Sequence, residues 1–263
     1  MELLFFLPVE SKSLNDRFMN RSIADDYLVV KENPMFDVKM LGEFYTDLSA
    51  PDGMGITEFQ NGLETLFAED RSNDDLNNYR LGKGPWKKLR DEITPVSRFL
   101  QFKDIKADRI RFPLDNNTPD CWLLNDNDDN FGIEVTIERG RERYHRKKEM
   151  IETGFGRGFI GIQDDAPQSD FDRHMSKNRI MYTTDQALEA TKAGILCCLS
   201  KKNDSEKYEG IFYLLIQAHL TTLPKERWNA IKEELSQEAA GLPFCEVHII
   251  GNADEKPWGF QIK

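Results

Sequence analysis

The chain has no paired cysteines, no long apolar run, no surplus of basic charge and no clustered histidines, and each lack removes a class of function. Cys121, Cys197, Cys198 and Cys245 stand at no paired spacing. Cys197 and Cys198 sit in an apolar, helix-like segment, where they read as small buried residues. Neither a disulfide scaffold nor a Cys-x-x-Cys site is expected, and a reducing cytoplasm is the default compartment. No stretch approaches the ~20 apolar residues that span a bilayer, so no membrane partner is expected. The early apolar run Leu3–Val9 is too short for a signal-peptide core and follows Glu2 rather than Lys or Arg. Lys and Arg total 35 against 46 Asp and Glu, a net charge of -11. A general basic coat for nucleic acid is therefore excluded, and any such contact must come from a local patch.

Other motifs fail on spacing. His145, His174, His219 and His248 are scattered, with no H-x-x-x-H pair, so zinc is not expected. There is no G-x-S-x-G for a serine hydrolase. Gly154-Phe155-Gly156-Arg157-Gly158 lacks the spacing of a phosphate-binding loop and reads as a flexible loop. The acidic turn Asp126–Asn130 has Phe131 and Ile137 where a calcium loop needs Gly and Glu.

What is present is a folded chain of 263 residues with 17 Phe, 4 Trp and 7 Tyr, an aromatic load that argues against disorder. Its character changes near position 82. Residues 1–82 read as an irregular, partly helical region with acidic segments such as Asn15–Asp26. Leu41–Leu48 and Phe59–Phe67 carry apolar residues at helical spacing. Residues 83–263 read as a more regular core. Pro85–Glu92 and Val96–Phe102 predict helices, the second opened by Thr94 and Pro95. Asp108–Leu114, Asp120–Leu124 and Phe131–Ile137 predict strands. Gly154–Arg179 reads as loop. Thr183 and Gln186, at capping-box spacing, open a helix running to about Ser200. A strand Glu209–His219, an amphipathic helix Lys225–Glu238 and a strand Phe244–Ile250 follow. This order predicts an α/β (α+β) fold around a mixed sheet flanked by helices.

The most informative segment is the predicted hairpin Thr118–Ile137. If its turn centres near Asn127, residues whose numbers sum to about 254 lie opposite each other, and Asp120 faces Glu134 directly or within one position. Strand alternation puts Asp120, Trp122 and Leu124 on one face with Glu134, Thr136 and Glu138. Cys121, Leu123, Ile133, Val135 and Ile137 make the other face, which is cleanly apolar. Two opposed carboxylates repel unless a divalent cation, a shared proton or a neighbouring cation offsets them. Mg²⁺ takes one or two protein carboxylates plus water and phosphate oxygens, so the pair suggests a hydrolytic metal site. The competing reading has Glu134 facing solvent and Asp120 capping a turn.

At these residues the sequence resembles the PD-(D/E)XK nuclease superfamily. Pro119-Asp120 matches its first motif and Glu134-Val135-Thr136 its second, and the element order from Pro85 to Ile250 is similar to its αβββαβ core with one extra helix and strand. The resemblance implies a restriction-endonuclease-like core and Mg²⁺ (or Mn²⁺) held by Asp120, Glu134 and the Val135 carbonyl. It also implies hydrolysis of phosphodiesters in DNA or RNA. A nuclease that cuts both strands often needs two sites, so a homodimer is a corresponding expectation. The chain departs from the family at Thr136, which stands at the usual lysine and carries no charge. Three explanations remain open: a cation from elsewhere such as Lys192, weak activity, or a non-catalytic nuclease fold that binds nucleic acid or protein. The family's habit of placing a polar residue on the following helix makes Gln186 and Lys192 the candidates to complete the site. A further alternative is an acidic interaction partner working through residues 1–82.

After Glu138 comes a run in which six of ten residues are basic: Arg139, Arg141, Arg143, Arg146, Lys147 and Lys148. Lying beside the carboxylates, it is the expected nucleic-acid-binding patch. Its rival reading is a solvated face neutralised by Glu142 and Glu149.

Overall fold

Parallel strands buried on both faces need continuous apolar runs, and the centre of this molecule is built from two of them. The structure is a computed structural model describing residues 38–68, 72–115, 117–127, 129–177, 181–208, 210–251 and 257–263. Leu3–Val9 and Asn15–Asp26 lie outside the described residues. Seven strands lie side by side in chain order: β1 (Met54–Gly55), β2 (Arg109–Arg111), β3 (Cys121–Leu124), β4 (Phe131–Ile137), β5 (Phe212–Ala218), β6 (Glu246–Gly251) and β7 (Gly259–Gln261). The β4–β5 and β5–β6 pairs are parallel and the others antiparallel. This is the α/β fold with a mixed sheet that the element order predicts.

Helices cover both faces. On one lie α1 (Val38–Ser49), α2 (Ile56–Ala68), α3 (Asn73–Leu81), α4 (Trp86–Lys88) and α5 (Thr94–Phe102). Their Leu41, Phe59, Trp86 and Phe99 pack with Ile110, Cys121, Leu123, Ile133 and Leu215 of the sheet. The chain between β4 and β5 carries α6 (Gly140–Thr153), α7 (Gln168–Met175) and α8 (Thr184–Ser200). On the second face, Ile195 and Leu199 of α8 and Ile231 and Leu235 of α9 (Asn229–Ala239) meet Leu214, Ile216, Val247 and Ile249. Leu214 and Leu215 thus feed opposite cores, as strand alternation requires.

The change of character near residue 82 does not divide this core. Residues 38–82 supply α1–α3 and the edge strand β1, and their apolar side chains share one cluster with β2–β4. All described residues fall in the unit Asn33–Lys263. The helix break expected at Thr94-Pro95 is also absent. Pro95 has no N–H for a regular helical turn, and the chain absorbs this in a π turn over Leu89–Ile93 without breaking. Thr94 Oγ1 donates to the Leu89 carbonyl at 2.7 Å and helps close that turn. The loop expected over Gly154–Arg179 contains α7, anchored by the fully buried Phe171. Among the described residues, no helix is long and apolar enough to cross a membrane.

Candidate functional site

The β3–β4 hairpin folds in the register that its turn dictates. Cys121 faces Ile133, Trp122 faces Gly132 and Leu123 faces Phe131, so each pair sums to 254. Asp120 stands one residue before the ladder, opposite Glu134. Its Oδ2 accepts the Val135 N–H at 2.8 Å, taking over a strand donor that β3 no longer reaches. Glu134 does not face solvent, because it is only 5% exposed.

Three lysines, Lys88, Lys202 and Lys207, and a third acid complete the cluster. Lys202, just past the end of α8, donates to Glu134 Oε1 at 2.6 Å, and the Tyr208 hydroxyl reaches the same oxygen at 3.4 Å. The π turn packs against β4 and presents Glu92, which pairs with Lys88 at 3.0 Å. Burial, then the charge of Glu134, lifts the Asp120 carboxyl to about 6. Burial, then the charge of Asp120, lifts Glu92 to about 7. Burial alone would lower the Lys202 ammonium, but the hydrogen bond and charge of Glu134 outweigh it and hold it above the ordinary lysine value. Two buried carboxylate oxygens, Glu92 Oε2 and Glu134 Oε2, have no hydrogen-bond partner. Buried polar atoms are nearly always satisfied, so two orphans in one acidic cluster mark a place shaped for something positive.

The other expected site residues lie elsewhere. Helix α8 runs antiparallel to β4: Thr191 meets Arg139, Gly194 abuts Glu138, Cys198 reaches the Ile137 carbonyl and Lys202 meets Glu134. Gly194 is needed here, because any Cβ would collide with the Glu138 carboxylate. This antiparallel run carries Gln186 beyond the far end of β4. Its side chain closes the capping box, accepting the Thr183 N–H at 3.0 Å while its own N–H donates to Thr183 Oγ1. Lys192 points across to α9 and pairs with Glu189 at 2.8 Å and Glu234 at 3.0 Å. Thr136 lies beside the Cys198 thiol. None of the three joins the carboxylates. The sequence reading missed Lys202 and Glu92. Laying a helix back along the carboxylate strand would have brought its C-terminal Lys201-Lys202 to Glu134.

The basic run is not an outward patch. Arg139, 4% exposed and in the left-handed conformation (φ 48°), turns the chain from β4 into α6. Its guanidinium bridges Glu138 and Glu142, donates to Thr191 Oγ1 and stacks over Phe159. Arg141 lies over Phe171 and bonds the Asp164 and Ala166 carbonyls at 2.7 Å each. Arg143 and Arg146 bond Gln217 Oε1 and His219 Nδ1, and Lys147 is half-buried. Lys148 alone of the six is largely in solvent, beside Glu152. The arginines needed neutral or acidic partners to be buried, and the fold supplies them.

Among the described residues, no group of three or more His, Cys, Asp or Glu side chains is drawn together as a metal centre. Mg²⁺ asks for less, one or two carboxylates with water and phosphate completing its shell, and the free oxygen of Glu134 beside Asp120 fits that demand. No protein-family model, no curated protein and no solved structure matches the chain.

Proposed function

We propose that the protein hydrolyses phosphodiesters in nucleic acid with the help of a divalent cation, as a PD-(D/E)XK-like nuclease in which Lys202 replaces the lysine missing at Thr136. One observation carries this reading: Glu92 and Glu134 each bury an unpartnered carboxylate oxygen in a cluster where burial, and then the neighbouring acid's charge, already lifts Asp120 and Glu92. The order helix, three strands, three helices, strand around the cluster, with α8 returning along β4, supports it. Asp120 and Glu134 would hold Mg²⁺ or Mn²⁺, with the Val135 carbonyl as the further ligand that the resemblance implies. Bound there, the cation would draw charge from a phosphate oxygen and acidify a water.

The remaining roles belong to the chain. Lys202, kept charged by Glu134, offers the positive charge that Thr136 lacks to a phosphate gaining negative charge. Glu92, poised at about 7, is suited to take the proton the water loses as its oxygen bonds phosphorus and the bond to the leaving oxygen breaks.

The test is divalent-dependent cleavage of plasmid, single-stranded DNA and RNA. Wild type should cleave one of them with Mg²⁺ or Mn²⁺. Glu134→Gln and Asp120→Asn should each lose roughly 100-fold or more, and Lys202→Met roughly 10- to 100-fold with Mn²⁺ binding retained. Wild type and Asp120→Asn equally active, or wild type inert on all substrates with both metals, would overturn the proposal. The inert outcome favours a nuclease fold used for binding, in which the Lys202–Glu134 pair simply neutralises the old site.

A further inference from the structure

Much of the molecule's positive charge is gathered away from the carboxylates. Arg80 of α3, Arg98 of α5, and Arg143, Arg146 and Lys147 of α6 line one cavity of about 470 Å³. No Asp or Glu lines it. Arg90 and Arg157 also reach it but are already matched, by Asp91 at 2.7 Å and Glu149 at 2.9 Å. Of the other five, three form no ion pair among the described residues and two reach a carboxylate only at 3.7 and 4.0 Å. Arg80 and Lys147 form no ion pair among the described residues, and Arg98 has only the Gly251 carbonyl at 3.5 Å. Arg143 and Arg146 hydrogen-bond neutral acceptors, with their nearest carboxylates, Asp91 and Glu142, at 3.7 and 4.0 Å.

A protein with net charge -11 has acids enough to neutralise such a cluster, yet places none in the cavity wall. The crowding is felt inside it. Burial, then Arg146, Arg143, Arg80 and Arg90, lowers the Lys147 ammonium below the ordinary lysine value. Burial, then Arg146 and its neighbours, drives His219 down to about 3, so that ring is neutral and adds no acid partner. Like charges held this close are unfavourable unless an anion joins them.

Location and shape narrow the ligand. Gln217 and His219 stand at the C-terminal end of β5, and the Gly251 carbonyl that Arg98 meets ends β6. The crevice beyond the carboxyl ends of parallel strands is where open α/β sheets take small ligands. The volume falls in the ~300–1,000 Å³ range of such sites and is small for a duplex. Five cations, three without an ion pair among the described residues and two only loosely paired, exceed the need of a single phosphate. Phe67, Leu76 and Tyr79 give the same cavity an apolar, aromatic wall.

We infer that this cavity binds a nucleoside di- or triphosphate, its phosphates on Arg143, Arg146 and Lys147 and its base against Phe67 and Tyr79. The inference is independent of the hydrolytic reading, because Glu92 and Asp120 do not line the cavity.

Titration calorimetry of the full chain in EDTA, which keeps divalent cations away from the carboxylates, tests it with ATP, ADP, AMP and a 12-nucleotide single strand. ATP and ADP should bind with Kd below roughly 100 μM at low salt and AMP about tenfold or more weaker. Lys147→Ala and Arg98→Ala should each weaken ATP binding about tenfold with unchanged circular dichroism, and Asp120→Asn should leave it untouched. If either variant misfolds, Arg80→Gln carries the same expectation. No heat with millimolar ATP, ATP binding indifferent to all three cationic variants, or binding of the single strand alone would each overturn the inference.

Discussion

Glu134 in β4 and Glu138, the residue just past its end, are equally buried at 5% exposure, yet they meet opposite fates. Glu138 is saturated by Arg139, and the Glu142 beside it accepts the N–H groups of Ile160, Gly161 and Ile162 as well as an Arg139 nitrogen. Glu134 shares one oxygen with Lys202 and Tyr208 and leaves the other bare. Charge and burial are thus poor guides to function in this chain. Completeness of partnering separates the two: a saturated ionic cluster holds the turn from β4 into α6, and the Glu134 cluster keeps a buried oxygen without a partner.

The largest expected effect breaks the saturated end. Arg139→Met strands two buried carboxylates and should cost about 3–5 kcal/mol of unfolding free energy, measured by denaturant titration. Adding Glu138→Gln should recover part of it, because the second change removes an uncompensated charge. A loss under 1 kcal/mol for Arg139→Met would mean that the cluster is not holding the turn.

Next comes a pH effect at the unsaturated end. Asp120 rises from 3.8 to about 6 and Glu92 from 4.5 to about 7, so the folded chain holds protons that the unfolded chain releases. Their contribution is full below about pH 4 and is lost as pH climbs through about 6 to 7, roughly 3 kcal/mol for each carboxyl at most. Without metal, Asp120→Asn should therefore flatten the decline in stability between pH 5 and 7.5. A cation would reverse the cost, so Mn²⁺ binding at pH 6 should release protons from wild type, detected by calorimetry in buffers of different ionisation heat. A wild-type pH profile identical to that of Asp120→Asn would show that Asp120 is ordinarily ionised.

Strands β2–β6 and the Asp120–Glu134 register were legible because both follow from local rules, alternation, turn length and apolar runs, whereas the short edge strands β1 and β7 were not. The capping box of Thr183 and Gln186 was legible for the same reason. What the sequence concealed depended on layers meeting. Lys202 lies 68 residues from Glu134, and only the antiparallel lie of α8 along β4 unites them. Glu92 was hidden by the π turn, since Thr94-Pro95 reads locally as a new helix start. The burial of the basic run was not legible, because a charge pattern does not say which arginines the fold surrounds with carbonyls, rings and acids. Residues 38–82 looked irregular because α3 and β1 are short, although α1 and α2 fill a core whose other wall comes from the sheet.

The smallest effects sharpen the contrast along α8, whose two ends separate capping from chemistry. Gln186→Ala removes one half of a capping box at the helix start and should cost about 0.5–1 kcal/mol. Cleavage should be unchanged, since Gln186 and Ser200 are about 21 Å apart along the helix axis at ~1.5 Å per residue. Lys192→Ala should change neither the melting temperature nor the cleavage rate, because its ion pairs with Glu189 and Glu234 lie on the exposed seam with α9. Lys202→Ala, ten residues on, keeps the helix intact but takes the cation from Glu134. If Lys192→Ala abolished cleavage while Lys202→Ala spared it, the missing charge would come from the helix face and not from its end. The pairing of Lys202 with Glu134 would then be no more than a neutralised acid.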